Sequence, residues 1–144
     1  MPDTARVHKD ADCIFCKIAA GDIPASKIID DQWAVAFMDI SPLARGHVLL
    51  IPKVHAATID ELSREEAQGL LGNLPSLVKA VKAVTSCQGV NVLQNNGLAA
   101  HQVVMHVHFH IIPRNPGDEF HFNWPAGSLV PAQAQHLAQQ IKAK

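Results

Sequence analysis

HVHFHIIPR, residues 106–114, sets His106, His108 and His110 two apart, with Val107, Phe109 and Ile111 in the alternate places. Side chains alternate between the faces of a strand, so the imidazoles would share one face and the apolar side chains the other. The apolar face reads as core, and successive imidazoles would stand roughly 6 to 7 Å apart. Nothing in packing requires that row. Three readings compete for it. The first is an exposed strand face in a chain with nine histidines. The second is a metal site, since histidines at i and i+2 of a strand can both ligate zinc. The third is covalent catalysis, in which a neutral imidazole attacks phosphorus while its neighbours donate to the phosphate oxygens.

Outward from the row, the chain shows short β-type runs around one helical stretch. CIFCKIAAGDIPAS, from Cys13, suggests a short helix closed by Gly21 and barred from continuing by Pro24. KIIDD and WAVAFMD are β-type runs with a turn near Asp30-Asp31-Gln32, and HVLLIPK is a third, ended by Pro52. Ser63 and Glu66 form a capping-box pattern, after which Ala67, Leu70, Leu71, Leu74, Val78, Val81 and Val84 recur at helical spacing. Pro75 inside that run predicts a kink or a break into two helices. GVNVLQNNG predicts a strand and turn, QVVMHVHFHIIPR a longer strand, and PAQAQHLAQQIKAK a terminal helix with Pro131 in its first turn. The fold class is α+β: an antiparallel sheet of about five strands with a long helix and a C-terminal helix.

At 144 residues and 48% hydrophobic, the chain can build one domain with its own core, placed here at 12–144 after a flexible arm over 1–11. A net charge of −1 shows no overall basic field for nucleic acid. No apolar run is long enough for a bilayer span, and the N-terminus has no secretory pattern, so the expected setting is the cytoplasm. Cys13-Ile-Phe-Cys16 therefore suggests metal or redox chemistry rather than a disulfide framework. Cys87 reads as packing.

His106-Val107-His108-Phe109-His110-Ile111-Ile112 resembles the signature of the histidine triad family, in which three histidines alternate with apolar residues. CIFCKI, FMDISPLARGHVLLIPKVH and NNGLAAHQ are similar to the corresponding segments of its Hint branch, and NWPAG to that branch's Trp-Pro tail. The resemblance covers residues 13 to 114. It implies a hydrolase or transferase that acts on the α-phosphate of purine nucleotide conjugates, such as AMP-amines, through a nucleotidyl-histidine intermediate. It also implies a homodimer with joined sheets and no organic cofactor. His108 takes the nucleophile's place, His110 contacts phosphate, and His106 and His47 complete the catalytic set. Asp39, Ile40 and Asn95 fall at nucleoside- and phosphate-binding positions. Asp39 before Ser41-Pro42 and Asn95 in Asn-Asn-Gly are also ordinary turn residues.

The branch usually carries Gly-Gln-Ser ahead of the motif, where this chain has His101, Gln102 and Val103. These three are assigned to the nucleotide site, but Val103 lacks the hydroxyl that would protonate a leaving group. His101 either supplies a donor instead or is a surface histidine. Some bacterial members similar to this chain bind zinc through two cysteines and two histidines, which implies Cys13, Cys16, His55 and His106. On its own the cysteine pair is half a zinc site, a redox pair or two packing residues. Two alternatives to a phosphoramidase stay open: a dinucleoside polyphosphate hydrolase of the Fhit type, and a zinc-stabilised nucleotide-binding module with little turnover.

Overall fold

Asp31 builds the first hairpin. Its Oδ1 accepts from the amides of Trp33 (2.7 Å) and Ala34 (2.8 Å), turning the chain between β1 (Lys27–Asp30) and β2 (Ala34–Met38). The computed structural model describes residues 9–144, so residues 1–8 of the expected arm lie outside the described residues. β3 (Val48–Pro52) continues the meander, and β4 (Gly89–Gln94) and β5 (Phe109–Arg114) complete a five-stranded antiparallel sheet in the order β1-β2-β3-β5-β4. β5 thus lies between β3 and β4, which brings the row beside the segment after His47.

Both faces of the sheet are covered, so the central strands are apolar on both sides. Ala34, Ala36, Val48, Leu50, Phe109 and Ile111 pack under α2 (Arg64–Leu71) and α3 (Leu74–Thr85). Val35, Phe37, Leu49 and Ile51 pack under α1 (Ile14–Ala20), whose Phe15, Cys16 and Ile18 face inward. α1 ends at Gly21 in the left-handed region at φ 83, as its sequence predicts. The capping box of Ser63 and Glu66 starts α2, and the helical run breaks before Pro75, which lies in the first turn of α3. α4 (Pro131–Lys142) forms as expected, with none of its residues buried. Among the described residues, no helix is long and apolar enough to cross a membrane.

The strand expected over QVVMHVHFHIIPR forms only from Phe109 onward. Residues 106–108 are held otherwise: the Val107 amide donates to the Ala56 carbonyl at 2.8 Å, and the His106 ring to the Pro52 carbonyl at 2.9 Å. The alternation survives without the ladder. Val107 joins the core under the helices with Phe109 and Ile111, while His106 and His108 lie edge-on to Phe15 of α1.

Candidate active site and metal centre

Three carbonyl or amide contacts fix the proton on each ring of the row, because a carbonyl can only accept and a backbone amide can only donate. The His106 carbonyl accepts from His108 Nδ1 at 2.7 Å. A neutral His108 ring therefore keeps its lone pair on Nε2. The Leu43 amide donates to His47 Nδ1 at 3.0 Å, which puts the proton of His47 on Nε2. That Nε2–H lies 2.9 Å from His110 Nδ1 and donates to it, leaving His110 with its own proton on Nε2. The His108 and His110 rings stand 5.0 Å apart, somewhat closer than the strand spacing alone gives.

Sheet register and one glycine make this relay possible. Val48, next to His47, pairs with Ile111, next to His110. Gly46 has φ +93, and a Cβ there would come within 2.4 Å of the Thr85 methyl at the end of α3. Only glycine allows the chain to enter β3 so close to that helix. Burial, first of all, holds His110 down to about 4, with the neighbouring His108 and His47 adding to the shift and Asp39 opposing it. Burial lowers His47 as well, against the pull of Asp39. Both rings thus stay neutral at pH 7. Asp39 places Oδ2 3.5 Å from His47 Nε2, while its Oδ1 accepts from the Ser41 amide at 2.8 Å.

At the other end of the row, His106 Nε2 donates to the Pro52 carbonyl, so its lone pair is on Nδ1. That atom lies 3.4 Å from Cys13 Sγ, 3.5 Å from Cys16 Sγ and 3.2 Å from His55 Nδ1, and Cys16 Sγ lies 3.3 Å from His55 Nδ1. A tetrahedral zinc at ordinary bond lengths sets sulfur and nitrogen ligands about 3.6 Å apart and two nitrogens about 3.3 Å apart. The donor set fits zinc. Burial pushes the Cys16 thiol up to about 11, partly offset by a main-chain hydrogen bond from Asp10. A divalent cation reverses such a preference by displacing the thiol proton. Asp39, His47 and His110 also offer three ligand atoms in reach of one another. They do not fit a metal, because the Leu43 amide keeps a proton on the His47 atom that would have to bind it.

Other sequence-assigned residues are placed less uniformly. Ile40 is exposed, and Asn95 is half-buried with its carbonyl accepting from Gln94 Nε2. Gln102 is buried and fully engaged within the fold. Its Oε1 accepts from the Gly97 amide at 2.7 Å, and its Nε2 donates to the Ala57 and Val104 carbonyls at 2.6 and 3.0 Å. His101 is exposed at φ 66, a strained conformation for a non-glycine residue, and Val103 is exposed beside it. Sequence reasoning missed Asp10, Phe15, Gly46 and the Pro52 carbonyl. The last acts through its backbone and leaves no signal in residue type.

Residues 20–117 match the HIT domain family. The adenosine 5'-monophosphoramidase hnt1 of Schizosaccharomyces pombe is 46% identical over 134 residues, 92% of this chain and 97% of that protein. A member of the HIT family of proteins from Bacillus subtilis superposes with a TM-score of 0.88 at 38% identity, over 92% of this chain and 96% of that one. A Zn-bound histidine triad family protein from Mycobacterium smegmatis superposes at 0.71 with 32% identity, over 92% of this chain and 98% of that one. The triad first read from HVHFHIIPR, the five-stranded sheet that carries it and these likenesses agree, and the chain belongs to the HIT domain family.

Proposed function

We propose that this protein is a phosphoramidase-type hydrolase of purine nucleotide conjugates, with His108 as the nucleophile. The observation that carries this is the 2.7 Å bond from His108 Nδ1 to the His106 carbonyl, which leaves the Nε2 lone pair to attack. His108 Nε2 bonds to the α-phosphorus as the bond from phosphorus to the leaving nitrogen breaks, and the amine departs with a proton given by His101. Water then attacks phosphorus and gives a proton back to His101, the phosphorus–histidine bond breaks, and the nucleoside monophosphate is released. His110, aligned by His47, donates Nε2–H to the phosphate oxygens as charge develops there. Asp39, Ile40 and Asn95 hold the nucleoside, and His101 and Val103 border the leaving group. Gln102, engaged through its side chain within the fold, orders the loop between them. The activity named for the Schizosaccharomyces pombe relative supports this reading.

Cys13, Cys16, His55 and His106 hold a zinc ion, supported by their spacing and by the Zn-bound Mycobacterium smegmatis neighbour. Bound there, zinc supplies structural cross-linking of α1 to the segment before β5, and its closed ligand set leaves no site for substrate. The protein works as a cytoplasmic homodimer and needs neither nucleic acid nor membrane. Turnover of an amine-linked adenylate, measured beside a diadenosine polyphosphate, tests the assignment. The amine-linked adenylate is expected to be hydrolysed faster, and a clear preference for the polyphosphate would make this a hydrolase of the Fhit type.

A further inference from the structure

The chain around the start of α1 touches the metal centre at more points than its two cysteines. The Cys13 amide donates to the Asp10 carbonyl at 3.1 Å, which ties Asp10 to the N-terminal end of α1. Asp10 Oδ1 accepts from the Asp12 amide at 2.9 Å, which fixes the side chain in a tight turn. Its other oxygen, Oδ2, lies 4.0 Å from His55 Nε2. His55 presents Nδ1 to the Cys16 thiol and to His106, so Nε2 is the nitrogen that carries its proton when Nδ1 binds a cation. A metal-bound imidazole commonly gives that second N–H to a carboxylate, which orients the ring and raises its basicity. At 4.0 Å the contact is too long for a direct hydrogen bond, a separation that one water can bridge.

We infer that Asp10 is the outer-sphere partner of the metal centre, its carboxylate orienting His55 through Nε2 while its carbonyl accepts from the Cys13 amide. The inference rests on the reading of Cys13, Cys16, His55 and His106 as a zinc site. His106 has its orienting acceptor in the Pro52 carbonyl, and Asp10 gives His55 the equivalent one. The two imidazoles are thereby anchored by different parts of the chain, one within the sheet and one in the segment leading into α1. Zinc binding thus fastens that segment to the domain.

Zinc affinity measured by competition with a chromophoric chelator tests this in the full-length protein. Asp10→Asn keeps the turn, since the amide oxygen still accepts from Asp12, but removes the charge and sets an N–H against His55. The expected result is a roughly 10- to 100-fold loss of zinc affinity. Asp12→Asn, which changes net charge equally on an exposed neighbour, is expected to bind as the wild type does. The cobalt-substituted proteins should keep a tetrahedral absorption band in all three cases, with its position moved in Asp10→Asn alone. Equal zinc affinity and an unmoved band in Asp10→Asn would overturn the role of Asp10 while leaving the metal site standing. Equal losses in both variants would also overturn it, in favour of a general field of charge. A wild-type protein that takes up no zinc would overturn the metal site and this inference together.

Discussion

At His106 the nitrogen aimed into its cluster carries a lone pair, whereas at His110 the proton is on Nε2, because Nδ1 is occupied by His47. The two residues are the same amino acid, four positions apart, in one segment of chain. The difference comes from what lies behind each ring. The Pro52 carbonyl takes the proton of His106 away from its cluster, and four lone-pair donors then converge on one point, an arrangement that suits a cation. The Leu43 amide pushes the proton of His47 toward His110, and the relay ends in an N–H donor, which suits an anion. Between them His108 belongs to both, since its tautomer is set by the carbonyl of His106. One backbone contact per ring sorts a row of identical side chains into a cation end and an anion end.

The same substitution at two places tests that division most severely. His108→Asn removes the attacking lone pair, and turnover of an amine-linked adenylate should fall by several powers of ten while AMP binding and zinc content persist. His106→Asn keeps the carbonyl that orients His108 but loses a zinc ligand from a buried position. It should lose zinc and cost about 1–3 kcal/mol for each buried partner left stranded. Its residual turnover in the still-folded protein should far exceed that of His108→Asn. If the two variants lost turnover equally with zinc retained in both, the two ends would not be separate devices.

Acid should sharpen the comparison with a smaller effect. Burial holds His110 at about 4 in the folded protein, below the 6.5 of an unfolded histidine, and lowers His47 in the same direction. Above pH 6.5 both states are neutral and the full stability is present. As pH falls from 6.5 toward 4, the unfolded chain takes up protons that the folded one refuses, so stability is lost through that window. Melting temperature in zinc-saturated protein should therefore decline over this range. His110→Asn should flatten part of the slope, and a variant with an unchanged slope would show that the ring is already solvated in the folded state.

Much of this was legible in the sequence. The helix stop at Gly21, the capping box at Ser63 and the break before Pro75 are local chemistry, and each formed where it was expected. Period-two alternation gave the correct faces for residues 106 to 111 even where the ladder is missing, because alternation follows from an extended backbone and not from pairing. The strand is shorter than its pattern predicts, since nothing in residues 102–108 tells that their partners are the Pro52 and Ala56 carbonyls instead of a neighbouring strand. For the same reason the tautomers were out of reach. They depend on backbone groups brought from as far as 54 positions away. Nor does the sequence tell that the side-chain amide of Gln102 is engaged by the loop around it.

The smallest expected effect concerns the leaving group, where neither end of the row supplies a group. An amine leaves phosphorus poorly unless it is protonated, so cleaving a phosphorus–nitrogen bond calls for an acid beside it. Val103 has no hydroxyl to give, and His101 is held exposed two residues earlier in a left-handed conformation that costs backbone energy. If His101 is the acid, His101→Ala should slow amine-linked adenylates by roughly 10- to 100-fold, the lower range for a positioned general acid, and spare polyphosphates whose leaving group is stable as an anion. Val103→Ser should then add little. If nothing has replaced the hydroxyl, the signs exchange: His101→Ala is silent, and Val103→Ser speeds the amine-linked substrate alone. We expect the first pattern, because His101 stands two residues from Val103 and its imidazole can donate a proton where the valine cannot. Equal slowing of both substrate classes by His101→Ala would remove the acid role and leave His101 as the residue whose strained turn shapes the loop.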